Sequence, residues 1–170
     1  MERIAGVLIA ALLGALALGY VSLKGAAGYS GTYLNAAISD ATEIANNAKA
    51  DLGSNGVGAA DYSGLDNQTA ISGKMIPDGM VSNGSSTITG PWPGSTVTVS
   101  GSGSTITEAW TGVDAASCTQ FAESQKTIDV AVNGTTVAIG AGTSGAALSI
   151  TSACQAGSQQ TSTITFTYQG

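Results

Sequence analysis

Twenty residues without a charge, Ile4 to Leu23, stand between Arg3 and Lys24 at the head of the chain. At the helical rise of about 1.5 Å per residue, this run (IAGVLIAALLGALALGYVSL) spans about 30 Å, the thickness of a bilayer core. It is therefore either a membrane anchor or a helix that buries itself against copies of itself. A secretory signal peptide would have a basic head, a shorter apolar stretch and a small-x-small cleavage site. Here the head is Glu2-Arg3, the apolar run is too long, and Gly25-Ala26-Ala27 is only a weak cleavage candidate. Because the rest of the chain must still cross a membrane, a leader removed before Met1 is expected.

Helical periodicity continues past Lys24. Leu34, Ala37, Ile38, Ala41, Ile44, Ala45, Ala48 and Leu52 recur at steps of three and four, forming one apolar stripe. Asn35, Asp40, Glu43, Asn47 and Asp51 fall on the other side, and Gly53-Ser54-Asn55-Gly56 supplies a stop. One helix over residues 1–53 is expected. Its half 1–24 is apolar all round, and its half 25–53 is amphipathic and packs on a globular head at 54–170. Glycines recur along it at Gly6, Gly14, Gly19, Gly25, Gly28 and Gly31. Each costs about 1 kcal/mol relative to alanine. They either let helices approach closely or mark a stretch, Gly14 to Gly31, that can unwind.

Charged residues make up 9% of the chain, which carries a net charge of −6. Such a surface argues against electrostatic binding of nucleic acid. The chain has no histidine, so it lacks the commonest general base and any Ser-His-Asp set. Its two cysteines, Cys118 and Cys154, read in an exported domain as one disulfide. Closing a loop of that length is worth about 3–4 kcal/mol in the chain-entropy model. With the cysteines paired, no zinc site can be built from His or Cys. Catalytic, metal and cofactor-binding residues are all expected to be absent. Asp61 and Asp66 read as solvated loop carboxylates, and Trp92, Trp110, Phe121 and Tyr168 as packing residues rather than a sugar platform. Glycosylation sequons at Asn67, Asn83 and Asn133 carry little weight, the third being explained by a turn.

Past Gly53 the chain turns to Gly, Asn, Asp and Ser, and residues 54–84 read as a long loop or small subdomain wrapping the helix. Strands are predicted at Ser86–Thr89, Thr96–Ser100 and Thr105–Trp110, the last two joined by a turn at Gly101-Ser102-Gly103. Asp114 is a candidate N-cap for a helix Ala115–Ser124. Ile128–Val132 and Thr136–Ile139 flank Asn133-Gly134, a strong type I′ hairpin signal. A short helix at 146–155 would present Cys154, and Thr163–Tyr168 alternates as a closing strand. Helices on an antiparallel sheet make the expected fold class α+β.

Several segments carry a closer likeness: Lys74-Met75-Ile76-Pro77-Asp78-Gly79-Met80-Val81, Gly90-Pro91-Trp92, Trp110-Thr111-Gly112-Val113 running into Ala116-Ser117-Cys118, and Ala153-Cys154 followed by Thr163 to Tyr168. Together with the long N-terminal helix and late cysteine pair, they make the chain resemble a type IV pilin of the type IVb class, in particular the thin-pilus major subunits of conjugative plasmids. The resemblance implies a helical surface filament of identical subunits, drawn by an assembly machinery from an inner-membrane pool. It also implies possible partners in a minor pilin or adhesin, a recipient cell surface or a phage, and N-terminal methylation. Met1, Glu2, Arg3, Ile4, Val7, Leu8, Leu12, Gly14, Leu16 and Gly19 would form the filament core. Gly14, Gly19, Gly25, Gly28 and Gly31 would provide its flexibility. Type IV pilins carry a glutamate at the fifth mature position. The candidate here is Glu2, which would pair with a neighbour's terminal ammonium or with Arg3. Burying the apolar helix would remove on the order of 1,000 Å² of apolar surface from water, roughly 25 kcal/mol before entropic costs. Two alternatives are a pseudopilin of a secretion system and a membrane-anchored adhesin or binding module that never polymerises.

Overall fold

The computed structural model describes residues 31–53, 60–139, 145–156 and 160–170. The readings made on residues 1–30, including every filament-core residue and Gly14, Gly19, Gly25 and Gly28, lie outside these. Internal contacts divide the chain at Thr32/Tyr33, and the unit from Tyr33 to Gly170 is described below. Among the described residues, no helix is long and apolar enough to cross a membrane.

Helix α1 covers 31–52 in the described chain. Its stripe is buried as the periodicity requires: Ala37, Ala41, Ile44 and Ala48 have no exposure, and Leu34 and Ala45 little more. Alanine at most of these positions costs no side-chain entropy and lets the helix backbone lie close to the sheet beneath. Asp40 and Asn47, expected on the solvent side, are instead half-buried at the margins of the contact.

The sheet has six antiparallel strands: β1 (Ile88–Thr89), β2 (Thr96–Ser102), β3 (Thr105–Asp114), β4 (Asp129–Val132), β5 (Thr135–Ala138) and β6 (Thr161–Gln169). Their spatial order is β1-β2-β3-β6-β4-β5, so the last strand lies between β3 and β4. β6 turns Ser162, Ile164, Phe166 and Tyr168 inward and its threonines outward, as a strand buried on one face should. The pairing Glu108↔Phe166↔Val130 carries one inward row across β3, β6 and β4.

The β2–β3 turn falls at Gly103-Ser104, at the far end of the expected Gly101-Ser102-Gly103, because Ser102 still pairs with Thr105. At the β4–β5 turn Asn133 (φ +50°) and Gly134 (φ +83°) both adopt the left-handed backbone of a type I′ turn. Helix α3 runs Cys118–Ser124 with Ser117 as N-cap, three residues later than expected. Asp114 ends β3 instead, and its carbonyl accepts the Ser117 N–H at 2.9 Å. The 60–86 segment contains a helix the periodicity did not show, α2 (Asn67–Ser72), capped by Asp66. Helix α4 is Ala146–Gln155, as expected.

Under α1 the core is aromatic. The Phe121 ring meets Trp92, Trp110 and Phe166 edge-on, at centroid distances of 5.3, 5.2 and 5.1 Å, the arrangement that aligns ring edges with ring faces. Trp92, Trp110, Phe121 and Tyr168 are all buried and form no surface platform.

Candidate functional site: the clasped helix and the exposed head surface

Amide side chains tie α1 to the head. Gln125, just past α3, donates from Nε2 to the Ile38 carbonyl at 3.1 Å, and its Oε1 accepts from the Thr42 hydroxyl at 3.1 Å. On the other flank Asn47 Nδ2 donates to the Met75 carbonyl at 3.1 Å. Lys49, a turn before the helix end, holds its ammonium 5.9 Å from the centre of the Tyr168 ring. The outer face of α1 carries Asn35, Ser39, Glu43 and Asn46 along a shallow groove. Partial burial, and then the neighbouring Glu43, hold the Asp40 carboxyl above its ordinary range.

The 60–86 segment is held without a cross-link. Tyr62 is buried against three glycines from separate parts of the chain: Gly53 at the end of α1, Gly101 in β2, and Gly170. A methyl group at Gly101 would overlap the Tyr62 carbonyl and at Gly170 the Tyr62 ring, so bare backbone is required at both. Asp66 accepts the Thr69 N–H at 2.7 Å, and this bond lowers its carboxyl pKa. Asn67 then bonds to β2 much as a strand would, accepting the Val99 N–H at 2.7 Å and donating to the Val97 carbonyl at 3.4 Å. Asp61 is likewise a loop carboxylate, lowered by its bonds from Ser63. Beside this segment lies an open groove of about 870 Å³, whose rim includes Glu43, Ile71, Lys74, Ile76, Val81 and Asn83.

Cys118 and Cys154 are joined, with Cα atoms 5.9 Å apart, linking the first residue of α3 to the last turn of α4. Asn133 secures the same region. Its Oδ1 accepts the Thr163 N–H at 2.9 Å, and its Nδ2 donates to the Ala153 carbonyl at 3.3 Å. Two of the three sequons thus have their asparagines engaged in structure, while Asn83 is exposed. Leu148, 76% exposed on the outer face of α4, is the most exposed large apolar residue in the described chain.

Sequence reading missed the Tyr62 cradle and the roles of Gln125 and Asn67, because each depends on partners far along the chain: Gly101 and Gly170 for Tyr62, Ile38 and Thr42 for Gln125, and Val97 and Val99 for Asn67. It also missed Glu108, a fully buried carboxyl on β3. A signal was present there, because the alternation Ile106, Glu108, Trp110 places the carboxyl on the apolar face. Of the residues proposed for helix flexibility, only Gly31 is among the described ones. It lies within α1, and a Cβ there would meet nothing within 4 Å.

Residues 32–169 match the family described as PilS N terminal. Among solved structures the chain is similar to a type IVb pilin from Salmonella typhi. The two share 20% sequence identity with a TM-score of 0.55, over 79% of this chain and 98% of that one. At this identity the likeness speaks for the fold. A comparison with curated proteins returned no match. An amphipathic helix clasped on an antiparallel sheet, with a disulfide-bounded region at one side, is the architecture of a pilin, a structural subunit and not an enzyme. Within that class the chain belongs to the PilS N-terminal family of type IVb pilins.

Proposed function

We propose that this chain is the major subunit of a type IVb pilus, polymerising through its apolar N-terminal segment into a filament that serves conjugative mating-pair contact or adhesion. The observation that carries the reading is the uncharged run Ile4–Leu23, which lies a short stretch ahead of a region matched from residue 32 to 169 by a pilin family. In this reading residues 1–53 are one helix. Its half 1–24 rests in the inner membrane before assembly and in the filament core afterwards, and its half 25–53 carries the head 54–170. Ile4, Val7, Leu8, Leu12 and Leu16 exchange lipid for one another. Glu2 pairs with a neighbour's terminal ammonium or with Arg3, because an unpaired carboxylate among apolar helices is costly. Gly14, Gly19, Gly25, Gly28 and Gly31 allow the helix to stretch or unwind as it packs. The contact is heterologous and does not close, so it propagates as a fibre. The loop region 54–84 and the disulfide-bounded region 118–154, which includes the exposed Leu148 of α4, supply head-to-head contacts along the outer wall.

Electron microscopy of fibres sheared from producing cells, with intact-mass analysis of their subunit, tests this. Thin fibres made of this chain, two daltons below the reduced mass apart from N-terminal modification, are expected. Glu2→Ala or Gly14→Leu should abolish fibres while leaving the subunit in the membrane. A chain found only in membranes, with no fibres, would overturn the proposal.

A further inference from the structure

The dipeptide Asn-Gly occurs at Asn55-Gly56, Asn83-Gly84 and Asn133-Gly134. The first pair lies outside the described residues. The other two both sit in tight turns but differ in what holds the asparagine. Ser85 N–H donates to the Ser82 carbonyl at 2.9 Å and closes a four-residue turn over Asn83 and Gly84. Gly84 takes its third position with φ +78°, the backbone of a type II turn. Ser82, Asn83 and Gly84 are all exposed. Among the described residues, neither the Asn83 carboxamide nor the Gly84 N–H has a hydrogen-bond partner, and a Cβ on Gly84 would meet nothing within 4 Å.

Asn133 is exposed too, yet both ends of its carboxamide are tied down. Thr163 N–H donates to its Oδ1 at 2.9 Å. Its Nδ2 donates to the Ala153 carbonyl at 3.3 Å and reaches Ser162 Oγ at 3.5 Å. Swinging this group back onto its own chain would break its bonds to β6 and α4 together.

An asparagine before glycine holds both partners of an intramolecular acyl transfer: its side-chain carbonyl carbon and the next backbone nitrogen, which no β-carbon screens. At Asn83 the Gly84 nitrogen would give up its proton to base and attack Cγ. The Cγ–Nδ2 bond breaks, and Nδ2 takes up a proton and leaves as ammonia. Water then opens the cyclic imide. Opening at Cγ gives aspartate, and opening at the backbone carbonyl carbon gives isoaspartate, whose chain runs through the former side chain. Asparagine and water become an acidic residue and ammonia, with nothing oxidised or reduced.

We propose that Asn83 is a self-modification site of the folded head, converting without an enzyme to aspartate and isoaspartate while Asn133 is spared. Asn83 lies on the rim of the open groove, where Glu43 and Asp78 already stand and Lys74 is the one cation among the described lining residues. Either product adds a negative charge to a chain already at −6. Isoaspartate also adds a methylene to the backbone of a hairpin whose arms meet at Val81↔Ile88 and at the 2.7 Å bond from Thr89 N–H to the Met80 carbonyl. This hairpin is therefore the part of the head that loosens with age.

Ageing the full chain in detergent micelles in mildly alkaline buffer, then reducing it and digesting it with trypsin, tests the proposal. Cleavage after Lys49, Lys74 and Lys126 puts Asn55, Asn83 and Asn133 on separate peptides. Conversion raises the mass of a peptide by about one dalton. In the folded protein, peptide 75–126 should gain that mass at least about tenfold faster than peptide 127–170, because the hydrogen bonds of Asn133 must break first. In denaturant the two rates should agree within about twofold, since the difference belongs to the fold. Asn83→Gln, at an exposed turn position, should remove the gain from peptide 75–126. Equal rates in the folded protein, or no gain at Asn83 over the time in which the denatured chain converts, would overturn the proposal. So would a rate difference that persists unchanged in denaturant, which would assign it to the flanking residues.

Discussion

Two segments outside the sheet are fastened to it by opposite means. The 60–86 segment has five buried apolar anchors, Tyr62, Leu65, Ala70, Met75 and Met80. The α4 region buries only Ile150 and Ala153 within its helix and is joined to α3 by the disulfide. Where a segment buries enough side chain, hydrogen bonds to the sheet suffice to fix its register. Where it buries little, a covalent link takes over, because the entropy of ordering the segment must be offset somewhere. The region with the weaker core is also the one that exposes Leu148.

The sharpest way to break this contrast is Tyr62→Ala. Removing a buried aromatic costs about 3–5 kcal/mol, and the loss should appear in chemical denaturation of the oxidised protein. A smaller cost than that of opening the disulfide would mean that the anchors are not what holds the 60–86 segment. Raising the pH probes the core on which both segments rest. Folded Glu108 keeps its proton up to about pH 8, whereas the unfolded chain releases it near its ordinary value of 4.5. The unfolded state therefore binds fewer protons across that window, and stability falls as pH rises from about 4.5 to about 8, then levels off. The drop is on the order of 5 kcal/mol. A stability curve for Glu108→Gln without that slope is the expected control.

Opening the cross-link with a Cys118→Ser, Cys154→Ser double variant should cost about 3 kcal/mol. Amide exchange should then rise in α4 and not in α2; uniform loosening would erase the distinction between the two regions. Asn67→Ala leaves the Val99 N–H without its partner and should cost about 1–3 kcal/mol, with exchange rising at the α2–β2 contact. The smallest effect on stability is expected for Leu148→Ser, within about 0.5 kcal/mol. That variant should nevertheless lower fibre yield, and unchanged yield would remove Leu148 from the proposed head contacts.

Elements with their own periodicity were legible from local residues. The stripe from Leu34 to Ala48, the alternation through β6, the Asn133-Gly134 turn and the α4 boundaries all follow from spacing and turn chemistry. Boundaries shifted where a long-range pair outweighed a local preference. Ser102 pairs with Thr105 and moves a turn, while Asp114 is held in β3 and yields the N-cap to Ser117. Helix α2 was hidden because its six residues bury a single alanine, too little to leave a stripe.

Chain order dictated the class of this protein: an uncharged run long enough to demand lipid or a partner, an amphipathic helix after it, and alternating strands that need one covered face. Residue spacing expresses such preferences directly, because helix and strand periods belong to the backbone itself. Folding alone decided that β6 would lie between β3 and β4, that three distant glycines would enclose Tyr62, and that one carboxyl on β3 would be fully buried between β2 and β6. Those outcomes depend on which distant surfaces exclude water together, and burial acts on pairs of segments that no local pattern names.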